Sequence, residues 1–111
     1  MEFLKRFIVF AGLILSGFGT MAQVNSAIQK AFQNSYNEET KKNYAEAISD
    51  IMPFYAESNY ETNLRIGWLY YLARNYTASQ NYYTRAVNIR PNSVEAKFGL
   101  IKPPFLVKQL G

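Results

Sequence analysis

Glu46 and Asp50 are the first residues to consider for chemistry, because their spacing of four places both carboxylates on one face of a helix. Paired carboxylates can act as general acid and base when they enclose a substrate. This pair lies opposite the apolar positions of its own segment, so both side chains are expected to face water. Glu46 is also predicted to help cap its helix, and we expect no catalysis from the pair.

Other catalytic chemistry is limited by composition. The 111 residues contain neither Cys nor His, which excludes disulfides, thiolate or imidazole metal sites, Cys nucleophiles and His-based triads. There is no glycine-rich phosphate loop and no cluster of metal ligands. Asn75-Tyr76-Thr77 matches a glycosylation pattern but is interpreted as a turn and cap. The sequence predicts a protein that is not an enzyme and needs no cofactor or metal.

Residues 1–22 have the layout of a secretory signal peptide, with Lys5 and Arg6 before an apolar run and small residues at its end. Cleavage is expected after Ala22, and a retained membrane anchor is the alternative. The Met-Ala-Gln ending resembles exported proteins of Gram-negative bacteria. We therefore expect export to the periplasm or cell envelope, with membrane contact only through this transient segment.

The rest of the chain shows helical spacing of apolar residues and no strand alternation. Helices are predicted over 24–36, from residue 44, over 60–73, over 76–89 and after residue 92. The polar segment 37–43 is predicted to be a connection, and Pro53 should end or kink the second helix. The predicted N-terminal caps are Asn43 with Glu46, Ser58 with Glu61, Asn75, and Asn92 with Glu95.

The segment Tyr60–Ser93 is 34 residues long and carries landmarks at fixed offsets. They are Ile66, Gly67, Tyr70, Tyr76, Ser79, Tyr83, Ala86 and Pro91. This pattern resembles a tetratricopeptide repeat, whose period is about 34 residues. Asn63 departs from it, since a large aromatic residue is common at that position.

The resemblance implies an all-α fold of antiparallel helix-turn-helix repeats, stacked as a short right-handed α-solenoid. The repeat domain is predicted over 23–102, with a divergent first repeat at about 26–59, a second at 60–93 and a partial third unit from 94. In the first repeat, Tyr44 and Ala47 lie 32 residues before Tyr76 and Ser79. Phe32 and Tyr36 would then be first-helix core residues, if two extra residues occupy the turn.

Residues 103–111 are predicted to form an irregular tail, because Pro103 and Pro104 stop a helix. Arrays of this kind usually need about three repeats and a polar capping helix. Two explanations stay open. Either the chain is a piece of a longer array, which we favour, or another molecule covers its open face.

In the family, the first helix of each repeat lines a concave groove that holds partner proteins. The resemblance therefore implies a partner-binding surface made of Glu61, Leu64, Trp68, Tyr71 and Leu72. The alternative for Trp68 is ordinary packing beneath a neighbouring helix. Arg65 and Lys97 could add charge at the groove edge, although such charges on exposed helix faces more often only keep a protein soluble.

The predicted function is a non-catalytic interaction scaffold that binds a peptide or a helix of a partner protein. The alternative is a structural element that self-associates through its exposed terminal face. Residues 23–111 carry ten Lys or Arg and seven Asp or Glu, which aids solubility and says little about partners. No basic run is longer than Lys41-Lys42, so nucleic acid is not an expected partner.

Overall fold

The structure is a computed structural model that describes residues 21–101, without the side chain of Met21. Most of the predicted signal peptide and all of the predicted tail lie outside these residues. The chain divides into two compact units, 1–30 and 31–111. In the first unit, the described residues 21–30 are helical and mostly exposed. Residues 31–101 are the described part of the second unit.

The described part of the chain is all-helical, as predicted, and contains no strand. The helices are α1 (Met21–Thr40), α2 (Tyr44–Ile51), α3 (Tyr60–Leu72), α4 (Tyr76–Ile89) and α5 (residues 94–101). A 3₁₀ turn, Met52–Phe54, follows α2 at Pro53, where the sequence predicted that the helix would weaken. No helix in the described residues is long and apolar enough to cross a membrane.

Two turns of matching geometry connect α1 to α2 and α3 to α4. Lys42 and Arg74 both have φ of 63°, in the left-handed region. The amides of the residues after them, Asn43 and Asn75, each donate to a carbonyl five residues back at 2.9 Å. This is the Schellman arrangement that satisfies the last carbonyls of a helix. The two turns lie 32 residues apart, so the described chain repeats the same hairpin connection.

Each hairpin is closed by a serine hydroxyl that donates across it. Ser35 Oγ of α1 donates to the Ala47 carbonyl of α2 at 2.9 Å. Ser79 Oγ of α4 donates to the Gly67 carbonyl of α3 at 2.7 Å. These serines are fully buried, so each must replace its lost hydration with such a bond.

The buried core lies where successive helices meet. Ala47, Ile48 and Leu69 form one cluster, against which Tyr70 packs. A second cluster joins α3, α4 and α5, and consists of Tyr60, Ala86 and Ala96 with Leu64 and Val87 packed against it. The landmarks Ile66, Ser79, Tyr83 and Ala86 are buried, Tyr70 and Tyr76 are half-buried, and Pro91 is exposed beyond the end of α4.

Tyr83 of α4 lies between two glycines on neighbouring helices. A Cβ placed on Gly67 of α3 would lie 3.0 Å from the Tyr83 ring, and one placed on Gly99 of α5 would overlap it. The missing side chains therefore let both helices approach the ring closely. Gly67 was predicted to allow such an approach, whereas the matching role of Gly99 was not.

Several local predictions need correction. The helix predicted to end near Tyr36 continues to Thr40, because Glu39 is held there by side chains of α3. Its buried residues are Ala31 and Ser35, while Tyr36 is 52% exposed. Since the two turns match, no extra residues are present in the first of them.

Two of the predicted caps are wrong, and a third lacks its capping bond. Asn43 lies at the N-cap position of α2 as predicted, but its side chain donates to Glu38 and makes no capping bond. Helix α3 is capped by Asn59, whose Oδ1 accepts from the Thr62 amide, and Ser93 caps α5 by accepting from the Ala96 amide. The predicted caps Ser58 and Asn92 are each one residue too early. The cap at Asn75 is confirmed, since its side chain accepts from the Ala78 amide.

Candidate functional site

A cavity of about 490 Å³ opens between α1, α3 and α5. Helices α1 and α3 are the first helices of their hairpins, α5 follows the second hairpin, and Tyr83 of α4 reaches the cavity between them. The cavity is lined by Tyr36, Glu61, Leu64, Arg65, Trp68, Tyr83, Glu95, Phe98 and Gly99. Its volume lies within the range of known ligand pockets.

Glu61, Leu64 and Trp68, three of the five predicted partner-binding residues, line this cavity. Tyr71 lies outside the lining and stacks on Trp68, with ring centroids 5.5 Å apart and planes inclined by 25°. Leu72 is half-buried at the end of α3 and is not a lining residue either. Side chains from the first three turns of α3 thus line the cavity together. Tyr71 stacks on Trp68 outside the lining.

Arg65 is the largest departure from the sequence prediction. It was expected on an exposed helix face, yet it is only 7% exposed. Its Nη1 donates to Glu39 Oε1 at 2.7 Å, and its Nε and Nη2 donate to Ser35 Oγ at 3.2 and 3.0 Å. The guanidinium also lies 4.2 Å from the centre of the Tyr36 ring. Arg65 therefore fastens α3 to α1.

Arg65, Ser35, Glu39 and Trp68 form one hydrogen-bonded cluster beside the cavity. Ser35 Oγ accepts twice from Arg65 and donates once to the backbone, which uses the full capacity of a hydroxyl. Glu39 Oε1 accepts from Arg65 and also from Trp68 Nε1, at 3.0 Å. The charge of Arg65 is thus paired with Glu39 next to the cavity, which weakens the attraction of the guanidinium for an acidic ligand.

Two carboxylates remain at the cavity. Glu61 lies 3.7 Å from Arg90, and because both side chains are about 60% exposed, this pair is weak. Glu95 is exposed, and no basic side chain of residues 21–101 pairs with it. Burial raises the pKa of the Tyr83 hydroxyl well above its usual range, and the negative charge of Glu95 raises it further. Lys97 is exposed and does not line the cavity.

Phe98 and Tyr36 are site residues that sequence reasoning missed. Phe98 is 59% exposed although it lines the cavity, and it belongs to a row of exposed apolar residues on α5 with Val94 and Ile101. Its signal in the sequence was the spacing 94, 98, 101, which places three apolar side chains on one helix face. Tyr36 was assigned to the core instead.

The structure offers little for catalysis in the described residues. Glu46 is exposed and Asp50 half-buried on α2, and neither lines the cavity. Residues 21–101 contain no group of three or more acidic, His or Cys side chains that could hold a metal ion. The cavity combines aromatic and aliphatic walls with two carboxylates at its edge.

No protein-family model matches this chain, and no curated protein or solved structure shows significant similarity to it.

Proposed function

We propose that this protein is a non-catalytic binding module of tetratricopeptide type, which holds a peptide segment or a helix of a partner protein. The observation that carries the proposal is the cavity between α1, α3 and α5, with Leu64, Trp68 and Phe98 in its walls. Aromatic side chains of this kind dominate the energetics of protein interfaces. The two matching turns, Lys42 and Arg74, support the repeat architecture that the proposal requires.

Phe98 is the residue on which to test this proposal. Because it is mostly exposed, Phe98→Ser should remove an apolar wall of the cavity with little loss of stability. Trp68 is less suitable, since its indole holds Glu39 and its loss would disturb the helix packing. Peptides selected from a displayed random library against the full chain should bind Phe98→Ser at least about tenfold more weakly, as expected for a hot-spot residue.

Val94→Ser is the matched control, because Val94 lies on the same helix, is 65% exposed and does not line the cavity. It should leave the affinity of the selected peptides unchanged. Equal affinity of the Phe98→Ser variant and the wild type for these peptides would show that they bind elsewhere.

A second candidate function is self-association through α5. Val94, Phe98 and Ile101 expose an apolar face there, and apolar faces of this kind often mark contact sites. Sedimentation velocity over a range of concentrations tests it: self-association predicts a rising sedimentation coefficient that Val94→Ser suppresses. A concentration-independent monomer would reject this candidate and leave the peptide-binding proposal intact.

The proposed location is the periplasm or cell envelope, with residues 1–22 acting as a signal peptide. The support is the sequence layout alone. Sequencing the N-terminus of the protein recovered from the cell envelope should give Gln23 as the first residue. An N-terminus at Met1 would instead favour the retained anchor.

A further inference from the structure

We propose that the cavity selects a basic side chain, Lys or Arg, flanked by apolar residues in the bound segment. This inference rests on the proposed function and specifies the chemistry of the partner. It follows from the charges at the cavity and from how each of them is already paired.

Arg65 is the only cation among the lining residues, and it is committed to Glu39 and Ser35. A ligand carboxylate at Arg65 would have to share the guanidinium with Glu39 Oε1, which already lies 2.7 Å from Nη1, and would be repelled by that carboxylate. The cavity is therefore poorly suited to an acidic ligand.

Glu61 and Glu95, in contrast to Arg65, are exposed carboxylates. They lie on α3 and α5, on either side of the cavity, and neither has a strong partner among residues 21–101. A cation placed between them would gain from both carboxylates, and it would also meet the aromatic rings of Trp68 and Phe98. The apolar stem of Lys or Arg can pack along Leu64 while its charged end reaches these carboxylates.

The net charge of the whole chain would not by itself attract a basic peptide. The protein carries a formal charge of +4, so its overall field repels basic peptides. A preference for a basic residue would have to come from the local carboxylates of the cavity.

The test uses three synthetic peptides, acetyl-Gly-Leu-Xaa-Phe-Gly-amide, in which Xaa is Lys, norleucine or Glu. Trp68 is the only tryptophan of the chain and lines the cavity, so its fluorescence reports binding to the full-length protein. At low salt the Lys peptide should bind about tenfold more tightly than the Glu peptide, with norleucine between them. This preference should shrink at high salt.

Two charge-neutralising variants locate the source of the preference. Glu95→Gln should reduce the ratio of Lys to Glu affinities, and Glu61→Gln with Glu95→Gln should bring it close to one. Glu46→Gln is the control, because it removes the same charge from an exposed position on α2 that does not line the cavity. It should leave the ratio as in the wild type.

The outcomes separate this inference from the proposed function. If all three peptides bind equally, or the Glu peptide binds best, and Phe98→Ser weakens them all, the binding site stands and the basic preference is overturned. An unchanged ratio in the double Gln variant would overturn it too. If none of the three peptides binds the wild type, the basic preference is overturned, whereas the proposed function fails only if the displayed library also yields no peptide that depends on Phe98.

Discussion

Asn63 holds the connection between the two hairpins through its side-chain amide. It is fully buried, its Nδ2 donates to the carbonyls of Asn59 at 2.7 Å and Glu57 at 3.0 Å, and its Oδ1 accepts from Tyr55 OH at 3.0 Å. The tetratricopeptide pattern favours an aromatic residue here. In this chain a polar residue fits because the buried amide finds hydrogen-bond partners for both its nitrogen and its oxygen in the connection.

Asn63→Leu should lower the free energy of unfolding by about 2–3 kcal/mol, because it removes three hydrogen bonds made by a fully buried amide. Urea denaturation followed by circular dichroism measures the change. Tyr55→Phe is the milder comparison, since it removes the phenol hydroxyl and should cost about 1 kcal/mol. A loss for Asn63→Leu no larger than that for Tyr55→Phe would mean that the amide does not hold the connection.

Gly99 and Gly67 both face the Tyr83 ring, but Gly99 lies closer to it. Gly99→Ala should destabilise the protein by about 1–3 kcal/mol, because the new methyl group overlaps the buried Tyr83 ring. Gly67→Ala should cost less, since its Cβ would lie 3.0 Å from the same ring and a small shift relieves the contact. Thermal unfolding of both variants gives the order, and a Gly99→Ala variant as stable as the wild type would show that α5 does not pack against Tyr83.

Arg65 shows why residue-scale prediction from sequence was incomplete. In the sequence, Arg65 is a charged residue between Leu64 and Ile66 on a predicted helix. Charged residues in helices are usually exposed to solvent. Its partners Ser35 and Glu39 lie 30 and 26 residues away, and nothing local identifies them. A surface position for Trp68 on α3 was expected from the resemblance to the repeat family, whereas its bond to Glu39 could not be predicted.

At the scale of elements, helix existence was easier to predict than helix ends. Apolar periodicity identified the helices of the described chain, because burial of one face requires it. The ends depended on which of two neighbouring polar residues caps the helix, as with Ser58 and Asn59, and sequence does not separate them. At Thr40 a tertiary contact of Glu39 extended α1 through a segment whose composition suggested a connection.

Each of the two hairpin turns contains a non-glycine residue with a positive φ. Lys42 and Arg74 adopt a left-handed conformation that costs a non-glycine residue roughly 1–2 kcal/mol. Arg74→Gly should therefore raise the free energy of unfolding by about 0.5–1 kcal/mol, after the greater flexibility of glycine in the unfolded chain is subtracted. Arg74→Ala is the control and should bring no such gain. Equal stability of both variants in urea denaturation would contradict the turn geometry.

At the scale of the whole molecule, the described chain consists of two helical hairpins followed by α5. Each new helix covers the previous hairpin, as α5 does when Gly99 meets Tyr83 and the Tyr60 hydroxyl lies 2.6 Å from Ser93 Oγ. The cavity exists because α1, α3 and α5 are held around Tyr83. The all-α class could be predicted from sequence, but the cavity required knowledge of how these three helices approach each other.

The central claim is that this cavity is where a partner binds. The most direct measurement is an amide and indole chemical-shift titration of the ¹⁵N-labelled full chain with a selected peptide. The account predicts that the largest shifts fall on the Trp68 indole, Leu64, Phe98 and Gly99. Shifts confined to exposed residues of α4 such as Asn81, Thr84 and Asn88 would contradict it.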